Sequence, residues 1–295
     1  MSEIRFDALL PQEMATRAEY LGVRKSEMPF LKMFMLSVLA GAFIALVAIF
    51  ATTVGAGSVV VTLPDGTTAF STGLPYGVVR LLSGFVFSLG LILVVVGGAE
   101  LFTGNNLIVM AWASGKISGR SVLRNWAIVY IGNFVGSIGT AILMFFTRQY
   151  TFGSNAIGIV ALKTAVAKCD FTFMQAVALG ILCNALVCLA VWMSFSARSS
   201  TDKILAIIFP ITAFVAAGFE HSVANMYFIP YALFIKGFDP AFIQVIGDKV
   251  PHLEKLTWQA FFLNNLLPVT IGNIIGGAVL VAAIYWVIFL RPTEP

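Results

Sequence analysis

Six long apolar runs divide this chain into segments of the length that a lipid bilayer requires. A helix needs roughly 20 apolar residues to cross a membrane. The runs lie near residues 33–53, 78–111, 123–146, 172–195, 203–235 and 260–290. Of the 295 residues, 59% are hydrophobic and 11% are charged, and the mean hydropathy is +0.93. These values exclude most soluble enzymes, nucleic-acid-binding proteins and signalling domains, and they predict an all-α polytopic membrane protein with six transmembrane helices.

The second and fifth runs are too long for one simple span, and both are interrupted. The second contains Gly97-Gly98-Ala99-Glu100, and the fifth contains Pro210 followed by Gly218-Phe219-Glu220-His221. Glycine or proline interruptions at corresponding places, each with a buried acid, are typical of discontinuous helices around a transport site. The sequence therefore predicts that the second and fifth helices are broken.

Basic residues predict the orientation of the bundle, because Lys and Arg collect in cytoplasmic loops. Eleven of the 18 Lys and Arg residues fall on one side, mostly in short connections, and seven fall on the other. The long connections 54–77, 147–171 and 236–259 lie on the side with fewer Lys and Arg residues. Both termini are therefore predicted to be cytoplasmic. The net charge of +4 reflects these loops and indicates no nucleic-acid partner.

The chain also repeats itself. In the stretches 98–105 and 218–225, Gly, Glu and Asn occupy identical offsets, and Ile131-Gly132-Asn133 aligns with Ile271-Gly272-Asn273. Each half holds three helices, so the halves must insert with opposite topology. The prediction is an inverted 3+3 repeat, an architecture found in channels and secondary transporters.

Residues 1–30 are predicted to form a cytoplasmic amphipathic helix, residues 31–290 the six-helix membrane domain, and residues 291–295 a short cytoplasmic tail. Leu10, Met14, Ala18 and Leu21 recur at helical spacing. Two interpretations remain open at this stage. The helix lies on the membrane surface, or it caps the cytoplasmic mouth.

Glu100 and Glu220 are the only acidic residues at predicted membrane depth, where an ionised carboxylate needs a partner. Capping of the half-helix that restarts beside each one is the favoured role, because free backbone N–H groups point there. His221 is the only histidine at this depth, and its repeat equivalent is Leu101, so the symmetry is broken there. We therefore expect His221 to donate a hydrogen bond to an anion or to transfer a proton.

Other polar residues allow a structural and a functional interpretation. Thr103, Asn184 and Asn225 either bond neighbouring helices or line a pathway. Lys168, at the outer edge of the fourth helix, either is a solvated interfacial residue or attracts anions. The three cysteines form no disulfide or metal pattern, and neither a metal site nor a cofactor is predicted.

Three stretches together carry a specific resemblance: Gly98–Thr103 with the preceding LGLIL, Phe219–Met226 and Pro268–Gly277. They closely resemble the formate/nitrite transporter family, and in particular its bacterial formate channels. The resemblance runs nearly end to end. It implies an aquaporin-like fold, a homopentamer with one pore per protomer, and location in the bacterial inner membrane. Glu100 stands where close formate channels have aspartate, and residues 58–74 look longer than usual.

The resemblance also implies roles for individual residues. His221 resembles the central pore histidine, with Thr103 as its hydrogen-bonding neighbour and Asn225 close by. Asn184 resembles the fourth-helix asparagine that faces the same site, and Lys168 the vestibule lysine. The residues that resemble the apolar constrictions are Phe87, Leu91, Leu101, Phe102, Val187 and Phe214.

The resulting hypothesis is a bidirectional, pH-dependent channel for formate and similar small monovalent anions. Formate crosses either as neutral formic acid, after protonation near His221, or as an anion held by hydrogen bonds. A nitrite or hydrosulfide channel on the same scaffold is the nearest alternative, and a neutral-solute channel is a more distant one. An intramembrane enzyme is disfavoured, because no nucleophile or metal constellation accompanies Glu100, Glu220 and His221.

Overall fold

The computed structural model describes residues 8–56, 60–62, 68–71 and 73–292, with side chains outside the range 57–72. The elements in chain order are α1 (Pro11–Ser26), α2 (Phe30–Gly55), β1 (Val60–Thr62), β2 (Thr68–Ser71), α3 (Tyr76–Gly97), α4 (Val109–Ala113), α5 (Gly119–Phe146), α6 (Ala156–Cys169), α7 (Phe173–Ser196), α8 (Ser200–Ala217), α9 (Ser222–Phe238), α10 (Pro240–Ile246) and a last helix (Ala260–Phe289). Short 3-10 turns are Gly104–Ile108, Gln149–Thr151, Gly247–Lys249 and Leu253–Lys255.

Six of the described helices are long and apolar enough to cross a membrane: α2, α3, α5, α7, α8 and the last helix. Each of the six corresponds to one apolar run, with α3 and α8 covering only the first part of the second and fifth runs, and this confirms the predicted multi-pass helical fold. The last helix is irregular, since π-helical segments Ala260–Leu266 and Ile275–Ala283 flank the α-helical Leu267–Ile274.

The first long connection contains a feature that the all-α prediction did not include. Strands β1 and β2 pair antiparallel, with Val60 opposite Ser71 and Val61 opposite Phe70. Valine, threonine and phenylalanine favour extended backbone, which explains why a short hairpin forms in an otherwise helical chain. The turn residues Pro64-Asp65-Gly66 and the end of the predicted tail, 293–295, lie outside the described residues.

Glycines permit the closest helix contacts at equivalent places in the two halves. A Cβ atom on Gly136 of α5 would overlap the carbonyl oxygen of Val38 in α2. A Cβ atom on Gly276 of the last helix would likewise overlap the carbonyl oxygen of Ile181 in α7. Small residues spaced by four let helix backbones approach closely in membranes. The same kind of close glycine contact therefore joins α2 to α5 and α7 to the last helix.

We expect Gly136→Ala to lower the free energy of unfolding by about 1–3 kcal/mol, because the new methyl group meets rigid backbone. Gly139→Ala, one turn further along α5, is the matched control, since nothing described lies within 4 Å of its Cβ position. Alanine there is expected to be neutral or to stabilise the helix by up to about 1 kcal/mol. Thermal unfolding in detergent measures both, and equal melting temperatures for the two variants would contradict this packing.

Two spanning helices end inside the bundle. Helix α3 ends at Gly97, and residues 98–103 are not helical until the turn Gly104–Ile108. Helix α8 ends at Ala217, and residues 218–221 precede α9. We call residues 98–103 the first break and residues 218–221 the second break. Each opens on a left-handed glycine, Gly98 with φ +82° and Gly218 with φ +79°, which is the conformation that ends a helix.

Helix α1 is part of the packed structure. Its buried face includes Met14, Ala15 and Ala18. Glu19, which is buried, accepts a hydrogen bond from the Lys116 ammonium at 2.6 Å, and Arg17 donates to the carbonyl oxygen of Phe195 at 3.1 Å. Charged contacts therefore hold α1 to the loop before α5 and to the end of α7.

Candidate functional site

The two breaks meet at one hydrogen bond. Nε2 of His221, in the second break, lies 2.9 Å from Oγ1 of Thr103, in the first break. Both side chains are buried. The structure therefore brings together the two residues that the sequence paired only through a resemblance.

The local backbone determines which nitrogen of His221 carries the proton. His221 is the N-cap of α9, and its Nδ1 accepts a hydrogen bond from the backbone N–H of Ala224 at 3.1 Å. A nitrogen that accepts cannot also be protonated, so the proton of the neutral imidazole is on Nε2. Nε2–H then donates to Oγ1 of Thr103, which leaves the Thr103 hydroxyl proton able to donate to a third group.

Helix α7 holds Thr103 from its other side. Nδ2 of Asn184 donates to the carbonyl oxygen of Thr103 at 3.3 Å and to that of Asn273 at 2.6 Å. The thiol of Cys188 also donates to the Thr103 carbonyl, at 3.4 Å. Asn184 therefore joins the first break to the last helix, and its amide supports the His221–Thr103 pair rather than contacting it.

An ion-paired network supports the first break. The carboxylate of Glu100 accepts from the Lys25 ammonium at 2.8 Å and from Nδ2 of Asn105 at 2.7 Å. Nδ2 of Asn105 also donates to Oδ1 of Asn125 at 3.0 Å, and Nδ2 of Asn125 donates to the carbonyl oxygen of Lys25 at 3.3 Å. The charge of a buried carboxylate is thus paired and hydrogen-bonded, as burial requires.

A second network of the same composition supports the second break. The carboxylate of Glu220 accepts from the Lys168 ammonium at 2.6 Å and from Nδ2 of Asn225 at 2.7 Å. Nδ2 of Asn225 also donates to Oδ1 of Asn265 at 2.7 Å, and Nδ2 of Asn265 donates to the carbonyl oxygen of Lys168 at 2.9 Å. Lys25, at the end of α1, and Lys168, at the end of α6, therefore occupy corresponding places.

A further asparagine in each half fixes the backbone of the break. Oδ1 of Asn133 accepts from the N–H of Phe102, and its Nδ2 donates to the carbonyl oxygen of Glu100, each at 2.9 Å. Oδ1 of Asn273 accepts from the N–H of Ser222, and its Nδ2 donates to the carbonyl oxygen of Glu220, again at 2.9 Å. These contacts satisfy backbone groups that the interrupted helices leave without partners.

The structure corrects the half-helix capping predicted for Glu100 and Glu220. Both carboxylates bind lysine and asparagine side chains, and the N-cap of α9 is His221. The physical reason is that an ammonium group offers a full charge to a buried carboxylate, whereas a helix end offers about half of one. Lys168 is also placed differently from the prediction, since it ends α6 and precedes the fourth spanning helix.

Two cavities lie at the two breaks: residues of the first break line one of them, and residues of the second break line the other. The first cavity, of about 470 Å³, lies beside α1, and its wall includes Lys25, Glu100, Leu91 and Leu101. The second cavity, of about 520 Å³, lies beside α6. Its wall includes Lys168, Glu220, Asn225, Phe87, Phe214 and His221. Helix α1 thus forms one wall of the first cavity, and α6 forms one wall of the second.

Apolar rings pack against His221 in the wall of the second cavity. The rings of Phe87 and Phe214 meet edge to face with centroids 5.9 Å apart, and the Phe214 ring stacks on His221, also at 5.9 Å. Phe102 packs instead against Trp126 and Tyr130 of α5. The remaining predicted constriction residues, Leu91, Leu101 and Val187, are all buried.

Several residues of this site were missed by sequence reasoning. Lys25, Asn125 and Asn265 complete the two networks, and Arg80 lines the second cavity. A signal existed for the asparagines: Asn125 follows Asn105 by 20 residues and Asn265 follows Asn225 by 40, and the longer connection in the second half accounts for the difference. Lys25 had no such signal, and neither did the pairing of Lys168 with Glu220, because the two lysines lie 75 and 52 residues from the acids that they bind.

The described residues contain no group of three or more His, Cys, Asp or Glu side chains that could hold a metal ion. The two networks differ at one acceptor. Oδ1 of Asn225 is buried and has no hydrogen-bond partner among the described residues. Its counterpart, Oδ1 of Asn105, accepts from the Lys25 ammonium at 2.9 Å.

Comparison with known proteins gives one consistent result. Residues 12–287 match the formate/nitrite transporter family. The chain is 45% identical over 290 residues to "Formate channel FocA" of Escherichia coli (strain K12), covering 98% of this chain and 97% of the relative. It is 43% identical over 274 residues to the protein of the same name from Haemophilus influenzae, covering 92% of each.

A solved structure described as "Pentameric formate channel with formate bound" superimposes with a TM-score of 0.79 and 46% identity, covering 89% of this chain and 98% of that one. These relatives are channels, which confirms that the chain is a transport protein and not an enzyme. They also confirm the resemblance inferred from the motifs. The chain is a multi-pass membrane protein that belongs to the formate/nitrite transporter family.

Proposed function

We propose that this protein is a channel for formate and similar small monovalent anions in the inner membrane of a bacterium. The observation that carries the proposal is the His221–Thr103 hydrogen bond of 2.9 Å, which joins the two breaks at the wall of the second cavity. The names of the relatives, which are formate channels, indicate formate as the substrate. Both termini are proposed to be cytoplasmic, so the first cavity opens to the cytoplasm and the second to the outside.

The charges of the cavity walls favour anions. The wall of the first cavity carries four basic side chains and one acidic one, which are Arg17, Lys25, Lys32, Lys203 and Glu100. The wall of the second carries three basic side chains and one acidic one, which are Arg80, Lys163, Lys168 and Glu220. Walls of one predominant sign raise the local concentration of the opposite ion. A channel with both mouths positive suits an anion moving in either direction.

We propose that the Phe87–Phe214 contact is an apolar closure between the two cavities, which an anion passes only if it loses its charge or has that charge well solvated. A bare carboxylate between the two rings faces apolar surface, and burial of such a charge without a hydrogen-bonding partner is strongly unfavourable. We propose that formate accepts a hydrogen bond from the Thr103 hydroxyl, whose oxygen is polarised by Nε2–H of His221. The anion held there takes up a proton and crosses as neutral formic acid.

The hydrogen bonds of His221 indicate where that proton originates. Release of the Nε2 proton alone would leave an imidazolate, because Nδ1 is an acceptor for the Ala224 N–H. The proton therefore arrives from the aqueous cavity, and His221 holds the anion where protonation occurs. Because a simple carboxyl group has a pKa of about 4, nearly all formate is ionised at neutral pH. Acid outside then favours uptake, and a neutral exterior favours export.

We further propose that the two halves form an inverted repeat with an aquaporin-like arrangement. The matched Lys–Glu–Asn–Asn networks support this, as do the glycine contacts at Gly136 and Gly276. They also extend the repeat, since α1 and α6 each end on the lysine of a network. Helix α1 is accordingly proposed to cap the cytoplasmic mouth, with residues 31–290 as the channel domain.

The assembly is proposed to be a homopentamer embedded in the lipid bilayer, because a structural relative is described as pentameric. Spanning helices carry large apolar side chains on their outer surfaces, for example Leu143, Phe146 and Phe209, which are each at least 70% exposed in the single chain. Lipid tails or neighbouring protomers are the contacts that such surfaces require.

Uptake of radiolabelled formate into proteoliposomes tests the function. We expect flux above that of empty liposomes at external pH 5 and pH 7.5, with greater uptake at pH 5. Unlabelled formate should compete with the label, and nitrite and hydrosulfide should compete weakly. Strong suppression by either would transfer the assignment to that anion on the same scaffold. Flux without any electrical or proton dependence would instead indicate a neutral-solute channel.

A further inference from the structure

Arg80 occupies a place in the second cavity that neither network explains. It lies in the second turn of α3 and is half-buried in the cavity wall. Its Nε donates to the carbonyl oxygen of Ala216 at 3.3 Å, and its Nη2 donates to the carbonyl oxygen of Val215. Arg80 therefore covers the end of α8 at the point where the second break begins.

The end of α8 would otherwise oppose anion binding. The last carbonyl groups of a helix have no intrahelical partner and carry about half a negative charge together. Val215 lines the cavity that leads to His221, and Arg80 bonds its carbonyl oxygen together with that of Ala216. The guanidinium group of Arg80 satisfies these oxygens and replaces their partial negative charge by a positive one.

The charge of Lys168 is neutralised by an acid, whereas that of Arg80 is not neutralised by any carboxylate among the described residues. Lys168 is paired with Glu220 at 2.6 Å. Within the part of the chain that the structure describes, no carboxylate forms an ion pair with Arg80. A guanidinium group has five N–H donors, and the two carbonyl oxygens use two of them. The others have no acceptor among the described residues, so a fork of donors remains for a planar anion.

The spacing along α3 places this fork before the apolar closure. Tyr76, Val79, Arg80, Ser83 and Phe87 all line the second cavity, which is the stripe expected from helical periodicity. Arg80 and Phe87 are seven residues apart, or about 10 Å along the helix axis. Lys163 of α6 lines the same cavity and is exposed.

We propose that Arg80 and Lys163 form an outer docking site for a small monocarboxylate, about 10 Å before the Phe87–Phe214 contact. Arg80 binds the two carboxylate oxygens with its free N–H groups, a geometry that guanidinium matches and ammonium does not. Lys163 adds the second positive charge. The site rests on the proposed function for its substrate, and it determines how strongly the outer mouth selects carboxylates before they reach His221.

The test compares Arg80→Gln with Arg148→Gln, the same change at an exposed arginine paired with Asp239 that lines neither cavity. Formate influx into proteoliposomes is measured over a series of external concentrations at pH 7.5. We expect Arg80→Gln to raise the KM for external formate about tenfold with little change in maximal flux. Arg148→Gln should leave KM unchanged. A fall in maximal flux without a change in KM would show that Arg80 only holds the end of α8, and would overturn the proposal.

Lys163→Gln gives a second test, because Lys163 forms no described contact with α8. We expect a smaller rise in KM, about threefold. An unchanged KM in this variant would remove Lys163 from the site. If Arg80→Gln does not fold, this variant still decides whether the charge of the cavity wall acts on the substrate.

Thermal unfolding in detergent separates the docking site from the proposed function. Sodium formate should raise the melting temperature of the wild type more than sodium chloride at equal ionic strength, with a rise that grows with concentration. Arg80→Gln should lose this difference and Arg148→Gln should keep it. If the wild type conducts no formate but is stabilised more by formate than by chloride, the channel assignment is refuted and the docking site stands. If it conducts formate without this extra stabilisation, the docking site is refuted.

Discussion

Replacing His221 by asparagine is expected to lower formate flux at external pH 7.5 by about 10–100-fold and to change its pH dependence. Asparagine places an acceptor oxygen close to the position of Nδ1, so the cap on α9 survives. It cannot reach Thr103, so the donor at the Nε2 position is lost. A hydrogen bond to a charged group contributes about 1.5–3 kcal/mol, which corresponds to the expected factor.

The change in pH dependence distinguishes the role of His221 more clearly than the loss of flux does. Without the His221–Thr103 pair to hold the anion, flux should follow the concentration of neutral acid already present in solution. For a carboxyl group with a pKa of about 4, that concentration differs by about 300-fold between pH 5 and pH 7.5. The wild type should show a much smaller ratio. His221→Gln, which can restore a donor near Thr103 but not the cap, should recover part of the flux at pH 7.5.

His252→Asn is the matched control for this experiment. His252 lies in the outer connection with a side chain that is 65% exposed, so its replacement should change neither flux nor pH dependence. The His221 hypothesis fails if His221→Asn retains the wild-type ratio of uptake at the two pH values. If thermal unfolding shows that His221→Asn has lost the fold, His221→Gln takes its place, and a wild-type ratio of uptake in that variant contradicts the hypothesis.

Removal of the Glu220 carboxylate is expected to produce the largest loss of stability. Glu220→Ala leaves the Lys168 ammonium, only 14% exposed, without its partner at 2.6 Å, and it leaves Nδ2 of Asn225 with one acceptor fewer. Breaking a buried ion pair by removing one partner costs about 3–5 kcal/mol. Since Lys168 lines the second cavity and its side chain is not fully buried, we expect the lower figure, about 3 kcal/mol.

Glu254→Ala is the control for this loss. Glu254 is paired with His252 at 3.5 Å, but its side chain is 74% exposed, and exposed pairs contribute about 0–1 kcal/mol. Thermal unfolding of both variants in detergent measures the difference. The double variant Glu220→Ala/Lys168→Ala should recover part of the loss, because no unpaired charge remains. Equal stability of Glu220→Ala and Glu254→Ala would refute the structural role of the network.

Much of the candidate site could be predicted from the sequence because the repeat carries it. Glu100 with Asn105 and Glu220 with Asn225 stand at identical offsets after a glycine, so both were identified before any contact was known. Their capping role was wrong for a physical reason. A local pattern shows which backbone groups are near a carboxylate, but not which charged side chain from another helix reaches it.

Helix α1 illustrates the same limit. Its amphipathic pattern predicted a helix and left two roles open, at the surface or over the mouth. Its position is decided by contacts with the bundle, among them those of Lys25 with Glu100 and of Glu19 with Lys116. Each contact spans at least 75 residues of sequence. No periodicity within α1 encodes such partners.

The sequence by itself determined the number of spanning helices, the two interruptions and the duplicated Gly–Glu–Asn pattern. Hydropathy and backbone breaks are properties of single segments, and a lipid environment leaves helices few alternatives. The tertiary structure alone decided that Lys25 and Lys168 neutralise the buried acids, that Arg80 covers the end of α8, and that Nε2 of His221 faces Thr103. These pairings join residues far apart in the chain, and their energies depend on distances and directions that exist only once the helices are packed.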